Sequence, residues 1–128
     1  MQQDMREKER EMIELSLLEQ QINQFEQQAN ILEKQIAELQ VLQLSLDEIK
    51  KGKKEQEILS PLGKNIFVKT KLLSKEIFVG VGAKTVLKKN IEETKKIVNK
   101  EIAKLVEARD NLLKEIENIV KGIRGVRR

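Results

Sequence analysis

The sequence contains no cysteine, histidine, tryptophan or tyrosine, and its 128 residues include three phenylalanines and one proline. Without cysteine and histidine, most nucleophiles, general bases and tight metal ligands are absent, so we expect no catalytic residues, no metal and no other cofactor. The scarcity of aromatic side chains also removes the large groups that usually fill a compact core. The composition therefore favours an extended, helix-rich protein that is not an enzyme.

Long apolar runs and a charge of one sign are also lacking. No stretch approaches the roughly 20 apolar residues that a membrane helix needs, and the first ten residues are mostly polar and charged. The 25 basic residues are interleaved with 21 acidic ones, whereas a footprint on phosphates needs a surface of one sign. We therefore expect a cytoplasmic protein that binds no membrane and no nucleic acid, and nucleic-acid binding stays as a rival that low-salt binding would test.

What the sequence does contain is a long heptad pattern at its start. Residues 1–51 hold neither proline nor glycine, and their apolar residues are spaced alternately three and four apart, as in a coiled coil. After Leu39 the pattern resumes three residues on, at Leu42, which predicts a local overwinding of the supercoil. The predicted seam consists of Leu15, Leu18, Ile22, Phe25, Ala29, Leu32, Ile36, Leu39, Leu42, Leu46 and Ile49.

A second coiled-coil helix is predicted over residues 90–126. Asn90 is placed to cap the first free amides and Glu93 to reach back to it, in the manner of a capping box. Arg109 is the one charged residue in the seam, a feature that tends to fix register at some loss of stability. The seam consists of Ile91, Thr94, Val98, Ile102, Leu105, Arg109, Leu112, Ile116, Ile119, Ile123 and Val126.

Between the helices the hydrophobic period changes to two, and the chain becomes rich in β-branched residues punctuated by glycine. This pattern predicts two β-hairpins after a polar linker over residues 50–56. Pro61 makes the first strand an edge or places a bulge in it. The predicted strands are Glu57–Leu62, Ile66–Leu72, Glu76–Val81 and Thr85–Lys89.

The two helices are predicted to pair antiparallel, because a short β segment joins them and each has one apolar seam. One constant register matches the two seams in successive layers, from Leu15 with Val126 to Leu39 with Ile102. A slip of one residue is needed beyond Leu39. The fold class is therefore α+β, a long antiparallel two-helix coiled coil with two β-hairpins between the helices.

Three segments of the middle of the chain, Ile58–Gly63, Asn65–Leu72 and Ile77–Ala83, resemble the prefoldin alpha subunit of archaeal type. The order of helix, two hairpins and helix is similar to that family over nearly the whole chain, and the four strands favour the alpha type, since the beta type has one hairpin. The resemblance implies a hexamer of two alpha and four beta subunits, whose hairpins join a β-barrel platform. It also implies an ATP-independent chaperone that captures unfolded proteins at coiled-coil tips and delivers them to a group II chaperonin.

The hairpins are expected to need partners, because isolated hairpins are marginally stable in water and leave unpaired edges. Their apolar residues lie on both faces, more than one small face buries alone. We therefore interpret residues 1–128 as a single subunit, with coiled-coil helices over 1–51 and 90–126 and with 57–89 used for oligomerisation. The predicted interface residues are Ile66, Val68, Ile77, Val79 and Val81.

Binding of unfolded clients is expected at apolar residues near the chain ends. Ile13 and Leu17 lie on the outer side of the first helix, and Met5 lies beyond the pairing register. Met12 and Val120 flank the seam, where they serve equally well to broaden the core stripe. Flexible methionines and unpaired aliphatic side chains suit promiscuous binding. The predicted client site consists of Met5, Met12, Ile13, Leu17, Val120, Ile123 and Val126.

Two other functions fit the same pattern. One is a structural or tethering coiled-coil protein that uses its β segment only to oligomerise. The other is an alpha-like subunit that assembles with itself into filaments, since gamma-type prefoldins resemble this plan too. Suppression of client aggregation separates the first from a chaperone, and the mass of the assembly, alone and with a beta-type subunit, separates the second.

Overall fold

The computed structural model describes the backbone of residues 2–126 and the side chains of residues 4–125. It confirms the predicted fold class of two long helices with two β-hairpins between them. The predicted strands match the observed ones to within one residue at each end. In chain order the elements are α1 (Gln2–Lys51), β1 (Glu57–Gly63), β2 (Ile66–Lys71), β3 (Ile77–Gly82), β4 (Thr85–Lys89) and α2 (Ile91–Val126).

The chain divides into two units. The first, the terminal unit, consists of Met1–Ala37 and Ala103–Arg128. The second, the hairpin unit, is Glu38–Ile102 and contains all four strands. Each helix contributes residues to both units.

Helices α1 and α2 run antiparallel in the hairpin unit. Three cross-helix contacts establish the direction, because the residue numbers on α1 rise as those on α2 fall. These contacts are the hydrogen bond from Gln43 to Asn99 and the ion pairs Asp47 with Lys95 and Lys50 with Glu92, the last at 2.6 Å.

The core of the hairpin unit lies where the two helices meet the second hairpin. Leu46, Ile91 and Val98 form a buried cluster at the helix interface. Ile77 of β3 packs against this cluster, so the second hairpin rests directly on the helix pair. The helical residues Leu39, Ile49 and Ile102 also pack against the cluster.

The seam of α1 departs from the prediction after Leu39. Leu42 is 40% exposed, and the half-buried position is Gln43, whose side-chain amide donates a hydrogen bond to Asn99. The predicted overwinding at Leu42 is therefore wrong. The step after Leu39 is four residues long, and the shortened step follows Leu46 instead. A polar residue occupies the seam because its amide has a hydrogen-bond partner on the other helix.

The predicted seam of the terminal unit is confirmed at every described position. Ala29 and Ile36 are buried, and Arg109 is half-buried among the apolar residues. The side chain of Val126 lies outside the described residues. The other seam residues are half-buried: Leu15, Leu18, Ile22, Phe25 and Leu32 on α1, and Leu105, Leu112, Ile116, Ile119 and Ile123 on α2.

The strands form two antiparallel two-stranded sheets, β1 with β2 and β3 with β4. These sheets do not close into a barrel within residues 2–126. Each hairpin has an irregularity beside its turn, between Pro61 and Gly63 in one and between Gly80 and Gly82 in the other. The expected bulge or edge at Pro61 is thus confirmed, since β1 is also an edge strand.

Both hairpin turns place two consecutive non-glycine residues in the left-handed region. The φ angles are 47° at Lys64 and 63° at Asn65 in the first turn, and 49° at Ala83 and 62° at Lys84 in the second. Positive φ at both central positions is typical of a type I′ turn, whose twist matches that of the strands. Asparagine tolerates this region well, whereas alanine and lysine suffer a steric penalty there.

The start of α2 confirms the predicted cap in part. The backbone N–H of Glu93 donates to Oδ1 of Asn90 at 2.8 Å, as in a capping box. The Glu93 carboxylate accepts a hydrogen bond from the side-chain amide of Asn90 at 3.3 Å and not from its backbone N–H. The buried Thr94 hydroxyl donates to the carbonyl of Asn90 at 2.8 Å, so this polar seam residue is satisfied.

Candidate functional site

Four predicted client-binding residues of α1 form an exposed apolar surface in the terminal unit. Met5 and Met12 are each 69% exposed, and Ile13 and Leu17 are exposed as well. Four residues apart, Ile13 and Leu17 share the helix face opposite the seam, while Met5 and Met12, seven apart, share a neighbouring face. We call Met5, Met12, Ile13 and Leu17 the outer strip.

The predicted client residues of α2 are less accessible. Val120 and Ile123 are half-buried, and the side chain of Val126 is outside the described residues. Half-burial of Val120 agrees with a residue that broadens the core stripe, whereas Met12 on α1 is too exposed for that role. The accessible apolar surface of the predicted site is therefore concentrated on α1.

Two further exposed apolar residues of the terminal unit were missed by the sequence analysis. They are Ile31 and Leu113. Ile31 lines a groove of about 530 Å³ together with Leu32, Ala108 and Leu112. A signal for Ile31 existed in the sequence, because Ile31 and Leu32 are consecutive apolar residues and a heptad seam uses one of them.

Arg109 is the charged residue within the apolar seam of the terminal unit. Its guanidinium donates hydrogen bonds to Asp110 at 3.1 Å and to Glu33 of α1 at 3.0 Å. Hydrogen bonding to Asp110, followed by that to Glu33, raises the pKa of Arg109 above its ordinary value. The charge at this seam position is therefore paired within the chain.

One face of the second hairpin packs on the helices, and we call the more exposed face of each hairpin its outward face. Directly opposed residues of an antiparallel pair lie on the same face. Among the predicted interface residues, Ile77 and Val79 are half-buried, and Ile77 packs on the helical core. The other three, Ile66, Val68 and Val81, are exposed.

Four exposed residues on the outward faces of the hairpins were not among the predicted interface residues. Leu59 and Phe67 belong to the first hairpin, and Phe78 and Val86 to the second. Strand alternation places Phe67 and Phe78 on the face opposite the predicted residues of β2 and β3, but it does not tell which face is outward. No interface residue was predicted on β1 or β4, which hold Leu59 and Val86. The structure thus leaves apolar residues exposed on both hairpins.

The described part of the chain has neither a membrane-spanning helix nor a metal-binding cluster. No helix within residues 2–126 is both long and apolar enough to cross a membrane. The same residues contain no group of three or more His, Cys, Asp or Glu side chains arranged to hold a metal ion.

Comparison with protein-family models matched most of the chain to one family. The Prefoldin model, described as Prefoldin subunit, matches residues 18–127 and so includes all four strands and most of both helices. This chain belongs to the prefoldin family. Prefoldins are a family of chaperones and not of enzymes, so membership implies a chaperone-type function. It also suggests assembly with other prefoldin subunits.

The fold is also similar to a solved structure. A cryo-EM structure of filamentous PFD from Methanocaldococcus jannaschii superimposes with a TM-score of 0.74 and 24% sequence identity. The match covers 88% of this chain and 93% of the other. No curated protein matched the sequence. At this identity the likeness to the solved structure concerns the fold.

Proposed function

We propose that this prefoldin is an ATP-independent holdase subunit that captures unfolded proteins at its coiled-coil tips and delivers them to a group II chaperonin. The observation that carries the proposal is the outer strip, four apolar side chains exposed outside the seam of a family member whose relatives are chaperones. A helix that only paired with its partner would need no such residues on its solvent face. Binding would take place in the cytoplasm and use no cofactor.

The grip we propose depends on several weak contacts. An unfolded client offers apolar segments of no fixed shape, so adaptable side chains such as Met5 and Met12 suit it better than a rigid pocket. Several subunits that act on one client raise the overall affinity through effective concentration. Val120, Ile123 and Val126 of α2 would add to the outer strip where the ends of the helices separate.

We further propose that residues 1–128 act as one alpha-type subunit that assembles with beta-type subunits, as two alpha and four beta. The two hairpins support the alpha type, because the beta type has one. Residues 57–89 would form the oligomer interface, for which Ile66, Val68 and Val81 are exposed. Ile77 and Val79 would contribute less, because they are already half-buried within the chain. A β-barrel platform would need strands of several subunits.

Aggregation assays on matched variants test the proposal. Glutamine keeps helix propensity while it removes apolar surface. The test variant replaces the outer strip (M5Q, M12Q, I13Q and L17Q), and the control replaces four exposed aliphatic residues of the hairpin unit (V41Q, L42Q, L44Q and I97Q). The assembled test variant should lose suppression of aggregation of a chemically unfolded protein, and the control should keep it. Equal activity of the two variants would refute the proposed site.

A second candidate is a structural, filament-forming coiled-coil protein. It is favoured by the likeness of the fold to the filamentous PFD. Mass measurement and electron microscopy of the protein alone would separate the two candidates. Long filaments together with no effect on client aggregation would support the structural role over the chaperone.

A further inference from the structure

Charge is distributed unevenly along this chain. The segment 50–89, which contains both hairpins and their linkers, holds eleven lysines, three glutamates and no arginine or aspartate, a net charge of +8. The rest of the chain is therefore net acidic, since the whole carries +4. Residues 57–89, the part that is proposed to oligomerise, hold seven of these lysines and two of the glutamates, a net charge of +5.

On the first hairpin, lysine and apolar side chains share the outward face. Leu59 lies directly opposite Lys69, and Pro61 lies opposite Phe67. All four are exposed, so this face has an apolar centre with lysine beside it. Glu57 of the same face lies 3.7 Å from Lys69, too far for a strong ion pair.

The second hairpin has the same composition on its outward face. Phe78, 63% exposed, lies directly opposite Lys88, and Gly80 lies opposite the exposed Val86. Lys88 forms an ion pair with Glu76 at 2.7 Å, which neutralises one charge of this face. Both hairpins therefore present exposed apolar side chains bordered by lysine.

Several lysines of the hairpins have no acidic partner among the described residues. Lys64 and Lys84 lie at the two turns, and Lys71 lies at the end of β2, all of them exposed. Pairing the hairpin faces of two identical copies would bring such lysines together. Like charges at an interface repel and disfavour the wrong partner, and the repulsion is strongest at low salt.

We propose that the outward hairpin faces dock an acidic partner subunit, whose carboxylates oppose these lysines, and that they reject a second copy of this chain at low salt. The inference rests on the proposed function only in taking the hairpins as the oligomer interface. Apolar residues in the centre and charge at the rim are typical of a protein interface. Charge complementarity then selects between the hetero-oligomer and the filament of identical copies.

A polyanion such as RNA is the other class of partner that lysine-rich surfaces bind. Two observations favour a protein. All basic residues of the segment 50–89 are lysines, whereas arginine is the residue that binds phosphate in a bidentate manner. The exposed edges of two-stranded sheets also offer unpaired backbone groups that another strand satisfies.

A charge-reversed copy of the chain serves as the acidic partner in the test. The variant K64E, K69E, K71E, K84E and K88E carries the reversal on the hairpins. The matched control, K8E, K34E, K104E, K114E and K121E, changes five exposed lysines of the terminal unit and alters the net charge equally. Mass photometry at about 30 mM and about 500 mM salt measures assembly of each protein alone and of each variant mixed with the wild type.

At low salt the mixture of wild type and hairpin variant should assemble at a concentration at least about tenfold lower than the wild type alone, while the control mixture should not. Salt should weaken the mixed assembly and strengthen that of the wild type. Wild-type assembly that is equally strong at both salt concentrations, or a mixture no better than the wild type, would overturn the proposal. Because the readout is subunit mass without client, it is independent of holdase activity.

Two further experiments test whether charge repulsion explains these results. Circular dichroism establishes that the hairpin variant is folded, and a neutral variant with the same five lysines changed to glutamine should assemble with itself more readily than the wild type at low salt. Failure of the neutral variant to do so would count against charge repulsion. Tight low-salt binding of a single-stranded RNA oligonucleotide by the wild type, competed by the acidic variant only weakly, would favour the polyanion instead.

Discussion

Arg109 of α2 donates a hydrogen bond to Glu33 of α1 at 3.0 Å from a position in the middle of an apolar seam. The contact crosses from one helix of the terminal unit to the other. The side chain of Arg109 is 24% exposed, as expected for a half-buried seam position. The charge of Arg109 is therefore paired at a position where a heptad pattern usually places an apolar side chain.

We expect Arg109→Leu to raise the free energy of unfolding, because an apolar residue then fills the seam. Glu33→Gln, which removes only the partner, should lower it by about 0.5 kcal/mol, as for a largely exposed ion pair. Urea denaturation at fixed protein concentration measures both. Destabilisation by Arg109→Leu would mean that the ion pair outweighs apolar packing here.

The seam of the terminal unit was predictable residue by residue, because alternate steps of three and four place apolar side chains on one helix face. The seam position of Gln43 was not predictable, because a search for apolar residues selects Leu42. An amide fits the seam only because Asn99 on the other helix accepts a hydrogen bond from it. Its partner is distant in sequence, so the local pattern carries no trace of the contact.

The outward faces of the hairpins were not predictable for a different reason. Both faces of each strand carry apolar residues, so alternation divides them into two sets without telling which set meets the helices. Packing of Ile77 on the helical core turns Phe78 outward. The notable basic charge of residues 50–89 was visible in the sequence, yet the whole-chain balance of 25 basic and 21 acidic residues concealed it.

Leu46 and Leu44 offer a matched pair of leucines on α1. Leu46 is 2% exposed in the core cluster of the hairpin unit, whereas Leu44 is 65% exposed. Leu46→Ala should lower the free energy of unfolding by about 2–4 kcal/mol through lost burial and a cavity. Leu44→Ala should change it by less than about 0.5 kcal/mol. Denaturation followed by circular dichroism makes the comparison, and similar losses for both would contradict the packing described.

Relief of strain at the second hairpin turn should stabilise the protein. Lys84 has φ of 62°, a conformation that glycine adopts without a steric penalty. Lys84→Gly should therefore raise the free energy of unfolding by roughly 0.5–1 kcal/mol, since a type I′ turn favours glycine at this position. Thermal denaturation at neutral pH measures the change.

The control for the turn is a lysine of the adjoining strand. Lys88 lies in β4, where its φ is not in the left-handed region. Lys88→Gly should lower stability, because glycine loses more conformational freedom in a strand. If the two glycine substitutions had the same effect, strain at Lys84 would not be the cause.

The ion pairs of the hairpin unit predict how stability depends on pH. A hydrogen bond from Lys95 lowers the pKa of Asp47, and a hydrogen bond from Lys50 lowers the pKa of Glu92. A carboxyl whose pKa is lower in the folded than in the unfolded state stabilises the fold fully above its unfolded value, near pH 4, and loses this contribution as pH falls through the folded value. Stability should therefore decline below about pH 4.

The opposite sign holds for the basic partner at high pH. Hydrogen bonding to Glu92 raises the pKa of Lys50, so its contribution is present below its unfolded value, near pH 10, and is lost as pH rises through the folded one. Thermal midpoints should consequently change little between about pH 5 and pH 9. Asp47→Asn should flatten the acid limb, because the substituted side chain does not titrate. Glu101→Gln, at an exposed site with no ion pair among the described residues, should leave that limb unchanged, and an equal flattening by both would remove the assignment to Asp47.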